Sequence, residues 1–242
     1  MNGPPGRQGF LPHDLLWTDG PGALKAPGPL PDWACAGWLA QAPVVLRREQ
    51  MADARWLPVG LRGRQRSQRF AAYLRRDAVH RRLRPEELAG MPLPPGAPAA
   101  LQDLRRVAPA LDALGLPWGP TGGAGFQLAS GLPVLHDGSD LDLLLRAPRP
   151  LDAGQLRALR AAIGLARGRV DLQVDTGRGG FLFSEWAGGA ARVLLRTADG
   201  PVLLRDPWRP AAVHASCRFA RCADASAAKR SVDGVLPVPG VA

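Results

Sequence analysis

Three features are missing from this 242-residue sequence, and each absence excludes a class of protein. The three cysteines, Cys35, Cys217 and Cys222, form no CxxC pair, which favours free thiols in a reducing compartment over a disulfide framework or a zinc site. No apolar run reaches the length of a membrane span, and no N-terminal segment resembles a signal peptide. We therefore expect a soluble, cytoplasmic protein without a membrane partner.

Lysine is scarce, whereas arginine is abundant. The chain has 31 basic and 21 acidic side chains, a net charge of +10, and only Lys25 and Lys229 among the basic residues are lysines. This balance predicts an anionic partner such as nucleic acid, polyphosphate or an acidic protein. The abundance of Ala, Gly, Pro and Arg is also typical of a GC-rich coding bias, so charge alone does not decide the partner.

The most informative stretch is residues 138–145, Gly-Ser-Asp-Leu-Asp-Leu-Leu-Leu, which predicts a buried strand entered from a turn. On a strand, Asp140 and Asp142 share a face about 6–7 Å apart, so both carboxylates can converge on one Mg²⁺ or Mn²⁺ ion. An ordinary solvated turn is the alternative. It explains Asp142 poorly, because a carboxylate inside a leucine run is costly to bury without a partner.

A third carboxylate is expected on a later strand. Residues 170–175 alternate strictly between apolar residues and the polar residues Asp171, Gln173 and Asp175. A half-exposed strand with a solvated polar face explains this pattern equally well. If the strand lies beside the first carboxylate pair, either Asp171 or Asp175 completes a metal site.

The most basic segment follows a predicted strand at residues 56–61. Arg62, Arg64 and Arg66 alternate as they would on one face of an extended segment, and the planar guanidinium group pairs well with phosphate oxygens. A solvated charged face is the alternative. From Ser67 the apolar spacing predicts a helix, with Arg69 on its solvated side.

A glycine pair, Gly122–Gly123, follows a predicted helix at residues 101–114 and precedes a predicted strand at 126–128. Backbone N–H groups of such a pair can hold a phosphate. The segment lacks the lysine of a P-loop and the spacing of a dinucleotide fingerprint, so a plain loop is the alternative.

The Gly/Pro-rich residues 90–99 predict a boundary between two domains. We expect a smaller, basic N-terminal α/β domain at residues 1–92, a catalytic domain at 98–210, and a flexible tail at 211–242. A further helix at 151–165, capped by Asp152, and a hairpin through Asp199–Gly200 complete the prediction. The fold class is α+β.

Taken together, these motifs resemble the nucleotidyltransferase superfamily over about residues 100–205. Gly122–Gly123 looks like its glycine motif, Asp140 and Asp142 look like its metal-binding pair, and Asp171 or Asp175 looks like its third carboxylate. The resemblance implies a mixed sheet with flanking helices and a reaction that depends on a divalent metal ion.

Motifs along nearly the whole chain are similar to malonate decarboxylase holo-acyl-carrier-protein synthase, a family also called phosphoribosyl-dephospho-CoA transferase. The segments that carry the similarity are residues 13–17, 60–69, 119–122, 131–142, 170–174 and 185–186. One departure is Gly123, where we expect serine. The departure removes a side-chain contact to phosphate and leaves the backbone donors.

The resemblance implies transfer of phosphoribosyl-dephospho-CoA from 2′-(5″-triphosphoribosyl)-3′-dephospho-CoA to a serine of the apo acyl carrier protein subunit of malonate decarboxylase, with release of pyrophosphate. It implies catalytic roles for Asp140, Asp142 and Asp171. The residues expected to bind the substrate are Gly122, Gly123, Ser139, Arg62, Arg66 and Arg69.

Two other functions compete with this one. The first is a nucleotidyltransferase of the same fold with another acceptor. The second is a nucleic-acid-binding protein without catalysis, motivated by the +10 charge. We rank it lower and do not expect nucleic acid as a partner, because the sequence contains no aromatic-interleaved basic motif and no zinc-finger spacing.

Overall fold

Two six-stranded sheets organise the part of the chain that the computed structural model describes, residues 9–209. The strands of the first sheet are β1 (Leu15–Trp17), β2 (Leu24–Lys25), β3 (Val44–Leu46), β4 (Trp56–Arg62), β5 (Arg69–Arg75) and β6 (Arg81–Leu83). Those of the second are β7 (Trp118–Pro120), β8 (Leu141–Arg146), β9 (Val170–Asp175), β10 (Gly179–Leu182), β11 (Val193–Thr197) and β12 (Gly200–Leu204).

Six α-helices accompany the sheets within residues 9–209. They are α1 (Ala36–Leu39), α2 (Pro85–Leu88), α3 (Ala99–Asp112), α4 (Gly122–Ser130), α5 (Ala153–Ile163) and α6 (Phe183–Ala187). None of these helices has the length and apolar character needed to cross a membrane. The mixture of sheets and flanking helices confirms the α+β class.

The first sheet is antiparallel throughout, in the order β2-β5-β4-β3-β1-β6. Its centre is the β4–β5 hairpin, where alternation of side chains buries one face. Leu57, Val59 and Leu61 of β4 pack with Ala72 and Leu74 of β5 in one apolar core. The two strands are joined by the turn between Arg62 and Arg69.

The helix predicted from Ser67 is wrong, because the segment forms β5, a 3₁₀ turn at Arg76–Ala78, and β6. The apolar residues in this segment fit both a helical and a two-residue period. Pairing with β4 decides between them, since it buries Ala72 and Leu74 completely. The local pattern did not contain this long-range contact.

The second sheet is mixed, with the order β12-β11-β10-β9-β8-β7. Only β8 and β9 run parallel, and α5 connects them. Leu141, Leu143 and Leu145 of β8 join Leu172 and Val174 of β9 in the larger core, against α3 and α5. The inward leucines of the central strand therefore bury the strand that carries the Asp-x-Asp pair.

Several local predictions are confirmed. The Asp152 carboxylate accepts a hydrogen bond from the Gln155 N–H (2.8 Å) at the start of α5, and α3 covers most of its predicted range. The β11–β12 hairpin turns at Asp199–Gly200. The strand predicted at 126–128 is wrong, because those residues lie within α4.

Other predictions about organisation stay open. The predicted boundary at residues 92–98 falls between α2 and α3, where the chain passes from the first sheet to the second. All described residues belong to one compact unit, so separate folding of residues 1–92 stays a prediction. The tail predicted at 211–242 lies outside the described residues, as do Cys217 and Cys222, whereas Cys35 is a free, exposed thiol.

A close backbone contact brings α2 against β7. An added Cβ at Gly119 would lie 1.9 Å from the carbonyl oxygen of Pro85. Only glycine permits this approach, because a backbone carbonyl in a packed junction has little room to shift.

Gly119→Ala should therefore destabilise the protein by at least about 2 kcal/mol, since the added methyl group forces β7 and α2 apart. Gly37→Ala is the control, because nothing lies within 4 Å of an added Cβ there. Urea unfolding of both variants measures the difference. Equal midpoints for Gly119→Ala and Gly37→Ala would contradict the close contact.

Candidate active site

Three carboxylates meet at one end of the parallel strand pair. The register of β8 and β9 sets Asp142 directly beside Asp171, and Asp140 lies just before β8. All three line one small cavity of about 220 Å³. The strand was expected to include Asp140, but it begins at Leu141, so Asp140 belongs to the entering turn.

Asp175 lies elsewhere, although it is on the same strand as Asp171. Its carboxylate is 4% exposed and accepts from Arg48 (2.9 Å) and Arg146 (2.8 Å). Because β8 and β9 rise about 3.3 Å per residue, this ion cluster is about 13 Å along the strands from Asp171. Of the two candidates for the third carboxylate, the geometry brings only Asp171 to the Asp-x-Asp pair.

The glycine pair begins helix α4 directly beside Asp142. Gly122 has φ +53°, and an added Cβ would lie 1.8 Å from the Asp142 carboxylate. The Gly123 N–H donates to the same carboxylate, while the Thr121 N–H donates to the Asp142 carbonyl (2.9 Å). The glycine pair therefore allows the first turn of α4 to lie directly against the Asp142 carboxylate.

The β4–β5 turn of the first sheet brings arginines to the carboxylates. Arg62, Arg66 and Arg69 line the same cavity as the three aspartates, together with Gly123 and Ser139. The Ser139 hydroxyl accepts from the His136 N–H (3.0 Å) and so fixes the turn before Asp140. Arg64 departs from the predicted shared face, because its guanidinium lies over the Trp38 ring instead.

We call the joined space the carboxylate cleft. It comprises the small cavity and a neighbouring cavity of about 660 Å³ that shares Arg62, Arg69, Asp142 and Asp171 with it. The larger part also contains Gly122. Every predicted catalytic or substrate-binding residue therefore lines this cleft: Asp140, Asp142, Asp171, Gly122, Gly123, Ser139, Arg62, Arg66 and Arg69.

Charges in the cleft perturb one another. Burial raises the pKa of Asp142, and repulsion from Asp171 and Asp140 adds to the shift. On the opposite side, burial lowers the pKa of Arg62 to about 10, with repulsion from Arg69 contributing. The Arg62 side chain is held between the Val134 carbonyl and the Phe126 ring.

The three aspartates form a cluster of negative charge in a cavity that four arginines also line. Asp142 forms no salt bridge among the described residues, whereas Arg169 pairs with Asp171 (2.7 Å) and more distantly with Asp140 (3.7 Å). The bond to Asp171 raises the pKa of Arg169. Oxygen-only donors of this kind fit Mg²⁺ or Mn²⁺. Within residues 9–209, however, no three acidic, His or Cys side chains are arranged to hold an ion.

His13 also lines the cleft, although no role was predicted for it from the sequence. It has φ +76°, the one positive φ outside glycine among the described residues. Its N–H donates to the Leu46 carbonyl (2.9 Å), and Arg146 donates to the Pro12 carbonyl (3.2 Å), which holds this strained turn in place. Burial is the largest cause that lowers the pKa of His13 to about 4, so the ring is neutral at pH 7.

The His13 ring meets Gln173, whose side-chain nitrogen lies 3.1 Å from Nε2. Gln173 is between Asp171 and Asp175 on the polar side of β9, so its position follows from the alternation already noted. The remaining polar cleft residues that sequence reasoning missed are Thr121, His136, Arg47, Arg169 and Arg196. Nothing local distinguishes these arginines from the many others in the chain.

A cleft that opposes clustered carboxylates to arginines is typical of an enzyme that transfers a phosphate-linked group. Comparison with family models identifies the group of enzymes. Residues 11–85 match the N-terminal domain, and residues 87–207 the C-terminal domain, of phosphoribosyl-dephospho-CoA transferase MdcG. No solved structure gives a significant match to the chain.

Curated relatives agree with the family models. A phosphoribosyl-dephospho-CoA transferase of Pseudomonas putida strain W619 is 51% identical over 81% of this chain and 94% of its own. That of Azotobacter vinelandii is 47% identical over 83% of this chain and 95% of its own. That of Pseudomonas aeruginosa is 46% identical over 86% of this chain and 99% of its own. The chain therefore belongs to the phosphoribosyl-dephospho-CoA transferase family, and it is a transferase.

The half-buried His13 should make stability depend on pH, because its surroundings lower its pKa. Its native pKa of about 4 lies below the ordinary 6.5, so the unfolded chain binds more protons between these values. Stability is fully present above pH 6.5 and is lost as pH falls toward 4. At pH 4.5 the loss attributable to His13 should reach about 2–3 kcal/mol.

His13→Asn removes the titrating ring and still tolerates the positive φ. Between pH 7.5 and 4.5, urea unfolding should show that the wild type loses more stability than this variant. Carboxylates that titrate in the same range cancel in the comparison. Parallel stability curves for the two proteins would contradict a lowered pKa of His13 in the folded protein.

Proposed function

We propose that this transferase moves phosphoribosyl-dephospho-CoA from 2′-(5″-triphosphoribosyl)-3′-dephospho-CoA to a serine of the apo acyl carrier protein subunit of malonate decarboxylase, releasing pyrophosphate. The observation that carries the proposal is the joint placement of three carboxylates and four arginines around one cavity of the cleft. The family membership supports the transferred group. The sequence resemblance supports the acceptor.

The triphosphate of the donor is the most highly charged part of the substrate, and the arginines of the β4–β5 turn suit it. Arg66 and Arg69 are exposed, so they can reach phosphate oxygens without a large rearrangement. Arg62 is only 7% exposed and is fixed by its contact with Phe126. A fixed guanidinium beside two mobile ones can orient a phosphate chain while the others neutralise it.

Asp140, Asp142 and Asp171 are the residues that would hold Mg²⁺ or Mn²⁺ in this proposal. When bound, the ion supplies charge neutralisation at the phosphate oxygens. Arg169 neutralises Asp171 and Asp140 in the protein alone, and it would have to release them. Its side chain is 68% exposed, so such a movement breaks no packing.

The transfer step follows from this arrangement. The serine oxygen forms a bond to the α-phosphorus, and the bond from that phosphorus to the pyrophosphate oxygen breaks. The serine proton passes to the Asp171 carboxylate, and pyrophosphate leaves toward the arginines. The Gly122–Gly123 start of α4 keeps its backbone donors at the carboxylates, which supports a nucleotidyltransferase-like site.

An acidic carrier protein suits the surroundings of the cleft. Arg66, Arg169 and Arg196 are exposed where they line it, and the whole chain has a net charge of +10. Such a rim accelerates the approach of an acidic partner and loses this effect at high salt. These features suit an acidic carrier protein, whereas its choice over a small-molecule acceptor rests on the sequence resemblance.

Purified protein, the triphosphate donor and apo carrier protein test the proposal. The carrier should gain the mass of phosphoribosyl-dephospho-CoA, with one pyrophosphate released per carrier. Asp140→Asn and Asp142→Asn should each lower the rate by at least about 10³-fold without unfolding the protein, and the double variant should lose little more, because the carboxylates act as a unit. Mass spectrometry and a pyrophosphate assay measure these quantities.

Asp137→Asn is the matched control, because Asp137 is exposed in the same turn and does not line the cleft. It should transfer at the wild-type rate. A carrier whose acceptor serine is changed to alanine should remain unmodified. Pyrophosphate release at full rate without any carrier would reject the protein acceptor and leave a nucleotidyltransferase with another acceptor.

A further inference from the structure

A second cavity lies on the other side of the β4–β5 turn. We call it the tryptophan cavity; it measures about 430 Å³, within the range of small-ligand pockets. Its walls are the indoles of Trp33 and Trp38, with Arg64, Gln41 and Gln68 at its edge. Apart from these polar groups, it offers flat aromatic surfaces rather than charge.

Arg64 gives the cavity a cationic flat group as well. Its guanidinium carbon lies 5.0 Å from the centre of the Trp38 ring, and the side chain is exposed. Indole and guanidinium planes are the surfaces on which nucleobases stack. Aliphatic ligands gain no such stacking, so the lining favours a planar, nitrogen-containing ring.

Two side-chain amides, those of Gln41 and Gln68, belong to the lining of the cavity. Gln41 uses its nitrogen to bind the Gly37 carbonyl (3.1 Å), and Gln68 uses its oxygen to accept from the Gln65 N–H (3.0 Å). Among the described residues, the Gln41 oxygen and the Gln68 nitrogen have no partner. An acceptor and a donor together match the amino group and ring nitrogen on one edge of adenine.

One segment of the chain separates this cavity from the carboxylate cleft. Trp38 donates from Nε1 to the Arg62 carbonyl (2.7 Å), while the Arg62 side chain lines the cleft. Within the same turn, Gly63, Arg64 and Gln68 face the tryptophan cavity, and Arg66 and Arg69 face the cleft. A ligand that carries a base and a polyphosphate can therefore cross the turn and occupy both.

We propose that the tryptophan cavity binds the adenine ring of the nucleotide donor, while the arginines across the turn bind its phosphates. This inference rests on the proposed function for the identity of the donor. It adds a base-binding site that selects adenine nucleotides over phosphate alone. Arg64 and Trp33 bind the base, and Trp38 positions Arg62 through the backbone contact.

Binding can be measured without the transfer reaction. S-methyl dephospho-CoA, ADP, S-methylpantetheine and tripolyphosphate are titrated calorimetrically against the wild type. Arg64→Gln and Trp33→Leu should weaken binding of ADP and of S-methyl dephospho-CoA roughly tenfold and leave tripolyphosphate unchanged. Arg76→Gln is the matched control, because Arg76 also lies over an aromatic ring, Phe10, but lines neither cavity. Thermal melting checks that each variant is folded.

Cys35 provides a probe that needs no substitution, because this exposed thiol lines the tryptophan cavity. ADP and S-methyl dephospho-CoA should slow its alkylation by iodoacetamide, followed on the Cys35 peptide by mass spectrometry, and tripolyphosphate should not. Protection by S-methylpantetheine but not ADP would overturn the inference and assign the cavity to the pantetheine arm.

Unchanged nucleotide affinity in Arg64→Gln, or no protection of Cys35, would also overturn it. These outcomes are separable from failure of the proposed function. Nucleotide binding with Cys35 protection but no transfer to the carrier would leave the base site intact and reject the acceptor. Transfer to the carrier with an unchanged KM for the donor in Arg64→Gln would support the proposed function and reject the base site.

Discussion

The Arg146 side chain holds the two sheets in the arrangement on which the cleft depends. From the end of β8 it donates to Glu86 of α2 (2.7 Å), to Asp175 of β9 (2.8 Å) and to the Pro12 carbonyl (3.2 Å), so one guanidinium joins the second sheet to α2 and to the turn before β1. The side chain is only 14% exposed, and breaking such a pair leaves buried charges without partners. Loss of Arg146 would therefore disturb the fold and the cleft together.

The same two strands carry the ion cluster at one end and the carboxylates at the other. Arg146 pairs with Asp175 in the same register that sets Asp142 beside Asp171. At the first end, opposite charges satisfy one another and stabilise the packing. At the second, like charges meet, and the pKa of Asp142 is raised by burial and by repulsion. The ion pairs at the first end therefore stabilise strands that hold repelling carboxylates side by side at the second, and a bound cation would relieve this repulsion.

Period-two alternation and the Asp-x-Asp spacing were enough to predict β8 with Asp142 and β9 with Asp171, because these depend on local pattern, whereas Asp140 falls in the turn just before β8. The capped helix α5 was equally local. The helix from Ser67 failed because only pairing with β4 distinguishes a strand there. The sequence alone could not distinguish Asp171 from Asp175 as the third carboxylate. The difference comes from Arg48 and Arg146, which lie on other elements and form ion pairs with Asp175. His13 and the two-sided β4–β5 turn could not be predicted, because both arise where the sheets meet.

We propose that Asp140, Asp142 and Asp171 act together as one cation site facing the arginines of the first sheet. Binding of Mn²⁺, followed by electron paramagnetic resonance with and without tripolyphosphate, tests it most directly. Tripolyphosphate should tighten Mn²⁺ binding in the wild type, and Asp142→Asn should bind the ion at least about tenfold more weakly. Arg169→Gln should bind the ion more tightly, because a competing cation is gone. Equal Mn²⁺ affinity in the wild type and Asp142→Asn would contradict it.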